Sequence, residues 1–186
     1  MRLPILNPKD MSEVQKPLHA DMRAGIRDHF KGFVSIRDDG ALLGPWNPWL
    51  IYPKFGEPVW ELVKAIASNP KLSPAVREVA ILVTGSHFRS EYELYAHVLI
   101  AQQRGLSDEK LATIVAGQRP VDLTRDEAVA YDFAAALMSG GVLPELTYKA
   151  AVERFGTDGA AELSYLIAMY CMVSVTLNTF DVPVPE

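Results

Sequence analysis

Residues 73–97 read SPAVREVAILVTGSHFRSEYELYAH, and the fold turns on this stretch. Ser73-Pro74 is a helix start: the serine hydroxyl accepts from an orphan amide, and proline occupies the first helical position, where no N–H is needed. The apolar run Val79-Ala-Ile-Leu-Val83 is too regular and too long for a turn, and Phe88-Arg89-Ser90 breaks it. A second helix starts at Ser90, so the stretch predicts a helical hairpin over Ser73–His87 and Ser90–Arg104. Glu93 and His97 lie four residues apart, on one face of the second helix. Glu78 and His87 sit on the first. A carboxylate that orients an imidazole is the basic unit for moving protons near neutral pH.

The same signals recur outward from that hairpin. The spacing predicts further helices over Ser12 to about Phe33, Gly56–Ser68, Ser107–Ala116, Thr124–Ser139, Pro144–Phe155 and Thr157–Phe180. Thr124-Arg-Asp-Glu127 has the form of a capping box, and Gly105, Gly117 and Gly156 fall where helices stop. No Asn-Gly or Asp-Gly turn joins alternating runs. The segment between Asp38 and Pro53 is rich in Gly and Pro, which argues against a regular element. Its Trp46, Trp49 and Tyr52 are too apolar for a solvent loop, so it should cover a core or a pocket. The expectation is a single all-α domain of packed helical hairpins over residues 1–186.

Composition narrows the function. The chain has 186 residues, 49% apolar and 22% charged, with a formal charge of -5 and no run of basic residues, which argues against nucleic acid. Its one cysteine, Cys171, lies in an apolar run and has no internal partner. It is read as a buried, reduced thiol in a cytoplasmic protein. Residues 159–180 carry a single charge, Glu162, and are long enough to span a bilayer. Their Ser, Thr and Asn content favours a core or subunit-interface helix.

Two readings stand for each candidate group. Glu78 either complements its helix dipole from the surface or points inward, where burial raises its pKa. Ser90 and Glu93 either form a Ser-x-x-Glu capping box or belong to a site. His87 is either a dipole partner at a helix end or a ligand. His87/Glu91 and Glu93/His97 are four-residue pairs, but the first straddles the helix break, and no HExxH or cysteine ligand set accompanies them, so no metal is expected.

The run Arg77-Glu-Val-Ala-Ile-Leu, then Ser90-Glu-Tyr-Glu-Leu-Tyr-Ala-His97, then Gly105-Leu-Ser-Asp-Glu109, resembles the carboxymuconolactone decarboxylase family, which includes alkylhydroperoxidase D-like proteins. The resemblance covers about residues 60–182, leaving residues 1–59 as an N-terminal helix and aromatic covering loop. It implies a homo-oligomer (dimer, trimer or hexamer), no metal or organic cofactor, and a place in the catabolism of aromatic compounds. In the peroxidase branch a Glu precedes Cys-x-x-Cys and a His. Glu78 and His97 match the first and last of these, while Ser90 and Glu93 stand where the cysteines would be. That replacement disfavours thiol peroxidase activity. The resemblance then implies a decarboxylase-like lyase acting on a small carboxylated lactone or related acid. Glu78, Glu93, His97 and Ser90 would be catalytic. Arg89, Trp46, Trp49, Tyr52 and His87 would contact the substrate, with Arg89 as carboxylate anchor. The alternatives are an alkylhydroperoxidase-like oxidoreductase by family label, without the redox cysteines, and a non-catalytic small-ligand-binding helical oligomer.

Overall fold

A computed structural model describes residues 1–185. Eight α-helices make up the fold: α1 (Gln15–His29), α2 (Trp46–Ile51), α3 (Pro53–Ala67), α4 (Pro74–Phe88), α5 (Glu91–Gln103), α6 (Asp108–Val115), α7 (Arg125–Met138) and α8 (Glu145–Phe180). Among the described residues the one β feature is an isolated bridge between Ile36 and Leu42. The all-α class follows from the helical periodicities and caps of the sequence.

Helix α4 is the hub, packed against α5, α6, α7 and α8. Every residue from Glu78 to Gly85 is buried, so the helix is apolar on nearly all sides. Each large aliphatic side chain fully buried here contributes about 1.5–3 kcal/mol. Ser73 Oγ accepts from the Val76 amide, and Arg89 closes α4 in the left-handed region at φ 50°. That closure sends the Ser90 amide back to the Gly85 carbonyl at 3.0 Å, a Schellman-type stop.

Three boundaries differ from the sequence reading. α1 ends at His29 rather than near Phe33, because Gly32 at φ 101° cannot continue a helix. The Gly- and Pro-rich segment contains a regular element after all, the six-residue α2. Pro45 and Pro48 stand before and within its first turn, where proline's missing N–H costs nothing. α3 follows at once from Pro53, and a Cβ at Gly56 would lie 2.0 Å from the Trp49 carbonyl oxygen, so glycine lets the two helices touch. At the other end, α8 runs through Gly156, whose φ of 72° and ψ of 174° divide it where two helices were expected.

The N-terminal strap fixes the aromatic segment in place. The Met1 ammonium pairs with Asp181 at 2.9 Å, and the Arg2 amide donates to the Phe180 carbonyl. Asn47 on α2 accepts from the Leu6 amide and donates to the Pro4 carbonyl. α2 is thereby tied to the N-terminal strap and packs on α1 and α3. By length and composition α8 can cross a membrane, and half of its most apolar window is buried within the fold.

Candidate active site

Glu78 of α4 and Glu93 and His97 of α5 converge in the interior, with residue exposures of 8%, 3% and 6%. The inward reading of Glu78 therefore holds over the surface one. His97 Nδ1 and Glu78 Oε2 are 2.8 Å apart, whereas His97 Nε2 and Glu93 Oε1 are 3.8 Å apart. Sequence spacing suggested that Glu93 holds the imidazole. The tight partner is Glu78 from the neighbouring helix, and Glu93 faces the other ring nitrogen. The Tyr170 ring of α8 stands edge-on to His97, with centroids 4.9 Å apart at 90°.

The Ser90–Glu93 capping box does not form. Ser90 is the N-cap of α5 but makes no side-chain capping bond, and both Ser90 Oγ and Glu93 Oε1 are buried without a hydrogen-bond partner. Gly85 permits this arrangement: a Cβ there would lie 3.0 Å from Glu93 Cγ.

Burial is the main cause of the Glu93 shift. It pushes the carboxyl up to about 7, reinforced by the charge of Glu78 and partly offset by His97. For His97, burial alone favours the neutral ring. The charge and hydrogen bond of Glu78, with the charge of Glu93, outweigh burial and leave the imidazole above its usual value. Burial and the two carboxylates also drive the Tyr170 hydroxyl well up. Near neutrality the centre thus holds a proton that it can give up or share.

A cavity of about 30 Å³ adjoins Glu93 and His97. Trp46, Trp49, Phe30, Phe33, Tyr92 and Tyr170 form its aromatic wall. Phe33 stacks on Trp46 at 6.3 Å, and Phe30 meets the same indole edge-on at 5.3 Å. Trp46 and Trp49 both line this cavity and are buried. The sequence reading missed Tyr92 and Tyr170, although Tyr92 lies inside the diagnostic stretch. Tyr170 lies far along the chain in an apolar run, with no local signal.

Three expected substrate contacts lie elsewhere. Arg89 caps α4 in the left-handed conformation and lines surface clefts instead of this cavity. His87 packs edge-on against Phe88 in the last turn of α4 and borders a different cleft. Tyr52 is exposed and stacks on Phe180. The helix stop turns Arg89 away, His87 falls on the face of α4 opposite Glu78, nine residues on, and the α2–α3 junction turns Tyr52 outward. Ser90 is fully buried but does not line the cavity. Among the described residues, no group of three or more His, Cys, Asp or Glu side chains is arranged to hold a metal ion.

The sequence model of the carboxymuconolactone decarboxylase family matches residues 53–136, a span containing Glu78, Glu93 and His97. Residues 53–136 thus resemble the carboxymuconolactone decarboxylase family in sequence, and the chain has the alkylhydroperoxidase D-like fold. The debrominase Bmp8 superposes with a TM-score of 0.73 at 15% identity, over 95% of this chain and 90% of that one. A Cys-to-Ala variant of the same debrominase, in complex with 2,3,4-tribromopyrrole, gives 0.75 at 15% identity, over 100% and 94%. A protein of unknown function from Agrobacterium tumefaciens, described as a putative antioxidant defence protein AhpD, gives 0.68 at 14% identity, over 75% and 97%. No curated protein sequence matches the chain.

Proposed function

We propose that this protein is a cofactor-independent acid/base enzyme that moves a proton on a small, ring-sized, largely apolar molecule. One observation carries the reading: a buried, unpartnered Glu93 oxygen lies 3.8 Å from His97 Nε2, beside an aromatic-lined cavity. Glu78 holds Nδ1 and sets the direction of the ring. Nε2 and Glu93 then share the proton that goes to or comes from substrate as a C–H or O–H acid is ionised. An apolar wall that excludes water strengthens each of these interactions.

The cavity lining includes no Lys or Arg, so a substrate carboxylate would lack the guanidinium expected of Arg89. The reading is accordingly narrowed from a carboxylated lactone to a neutral or weakly acidic ring compound. The halopyrrole bound by the Bmp8 variant is of that size. At about 30 Å³ the cavity holds a water or two, so binding of a ring compound requires the aromatic wall to give way. Thiol peroxidase chemistry is disfavoured: burial raises the Cys171 thiol, whose Sγ lies 4.0 Å from Met138 Sδ, outside this cavity. The uncharged outer stripe of α8, including Ala161, Tyr165, Ala168 and Val175, supports self-association, and we place the protein in the cytoplasm.

The test is a screen of small cyclic ketones, phenols and pyrroles for turnover or for proton exchange with deuterated water. With an accepted compound, His97→Gln should lower kcat by about 10²–10⁴-fold. Unchanged kcat would end the reading.

A further inference from the structure

His97 borders two cavities. The second, of about 190 Å³, lies on the Nδ1 side and is lined by Glu78, Arg77, Arg104, His29 and Pro74, among others. Glu78 lines only this rear cavity, and Glu93 only the front one. The imidazole is therefore part of the wall between them, bonded to Glu78 behind and facing Glu93 in front.

The two linings differ in exposure. No residue lining the front cavity is exposed, and Phe30 and Phe33 are the two that are half-buried. At the rear, His29, Pro70, Pro74 and Arg104 are all exposed, so the mouth is open. Arg77 is fixed there by Glu162 and by donating to the Ile66 carbonyl. Its charge opposes that of the imidazolium from this side.

We propose that the rear cavity is a hydrated proton port, which joins Glu78 and His97 to solvent while the substrate occupies the front. This rests on the acid/base reading above. A proton received at Nε2 is matched by one released from Nδ1 to Glu78 Oε2 and from there to water. The ring ends neutral, and no other reagent is consumed. The reverse sequence supplies a proton to the substrate. The port lets the pair exchange protons while the substrate fills the apolar front cavity, so that a reactive carbanion or phenolate there need not meet water. The titratable groups facing it are His29 from α1, Arg77 and Glu78 from α4, Arg104 following α5, and Tyr170 from α8.

The test needs no substrate. In the full-length protein labelled with 15N-histidine, saturation transfer from water gives the exchange rate of the His97 Nδ1 proton. Ala67→Leu and Ile66→Phe fill the rear cavity, and Val173→Phe fills the front. Ala67 is half-buried at the rim, so its variant keeps the fold intact. Each rear filling should slow exchange by about tenfold or more, while front filling changes it by less than about twofold. Equal slowing by both, or slowing by Val173→Phe alone, overturns the port. Neither result bears on whether His97→Gln abolishes turnover, so the two readings can fail separately.

Discussion

The same four-residue motif begins α5 and α7 with opposite results. At Thr124-Arg-Asp-Glu127 the capping box is complete: the Glu127 amide donates to Thr124 Oγ1 at 3.3 Å, and the Thr124 amide to Glu127 Oε2 at 2.8 Å. Lys110 Nζ adds a buried pair at 2.8 Å. At Ser90-Glu-Tyr-Glu93 neither capping bond is made. The Ser90 amide is already used by the Gly85 carbonyl in the stop of α4, so Glu93 has no amide to reach back for. It turns inward past Gly85 towards His97. A motif thus acts according to which of its donors the preceding chain has left free.

The electrostatics diverge accordingly. Burial works against ionised Glu127, but Lys110 and the Thr124 contacts outweigh it, and the carboxyl falls below its usual value. Burial raises Glu93 to about 7, with no such partners to reverse it. One carboxylate is structural and charged. The other is poised to exchange its proton.

Exchanging the two glutamates for glutamine should separate these roles, and the largest effect is on activity. Glu93→Gln is expected to lower kcat by about tenfold or more, while Glu127→Gln leaves it within about twofold. Steady-state kinetics on an accepted ring compound decides this. Equal losses would remove the contrast.

Stability should show the reverse. Glu127→Gln keeps an oxygen for the box but removes the buried carboxylate paired with Lys110, leaving Asp122 at 4.0 Å as the remaining counter-charge, at a cost of roughly 2–3 kcal/mol in urea unfolding at neutral pH. Glu93→Gln should cost nothing there.

The dependence on pH sharpens the distinction. Folded Glu93 keeps its proton up to about 7, while the unfolded chain releases it at the ordinary carboxylate value. Between these pH values the folded state binds more protons, so stability falls as pH rises. The raised His97 acts in the same direction: its contribution is complete below the unfolded value and lost as pH climbs through the folded one. Relative to wild type, Glu93→Gln should gain stability from about pH 5 to 8, towards a ceiling of roughly 3 kcal/mol. Glu127, with its value lowered, contributes above the unfolded carboxylate value, so the deficit of Glu127→Gln should shrink in acid. Melting temperatures across pH measure both slopes.

The smallest difference concerns the caps. Thr124→Ala should cost about 1 kcal/mol, whereas Ser90→Ala should change stability by less than about 0.5 kcal/mol, because its hydroxyl caps nothing. Urea unfolding of the two variants measures it.

Much of this was legible in one dimension. The Ser73-Pro74 start, the break at Phe88-Arg-Ser90 and the four-residue step from Glu93 to His97 depend on contacts within a few residues, so they can be read directly. The fate of Arg89 and Tyr52 was not legible. Nearness in sequence to a site says little about direction when a left-handed stop or a helix junction intervenes. The α2 turn was hidden because proline forbids a helix interior but favours its first turn.

Sequence by itself determined that the chain is helical, that one carboxylate and one imidazole share a face of α5, and that no thiol pair is present. Only the tertiary structure decided that Glu78 rather than Glu93 grips the ring, and that Tyr170 and the tryptophans close around it. The first set follows from backbone periodicity and local hydrogen bonding. The second depends on which helices pack together and which polar atoms that packing leaves without partners.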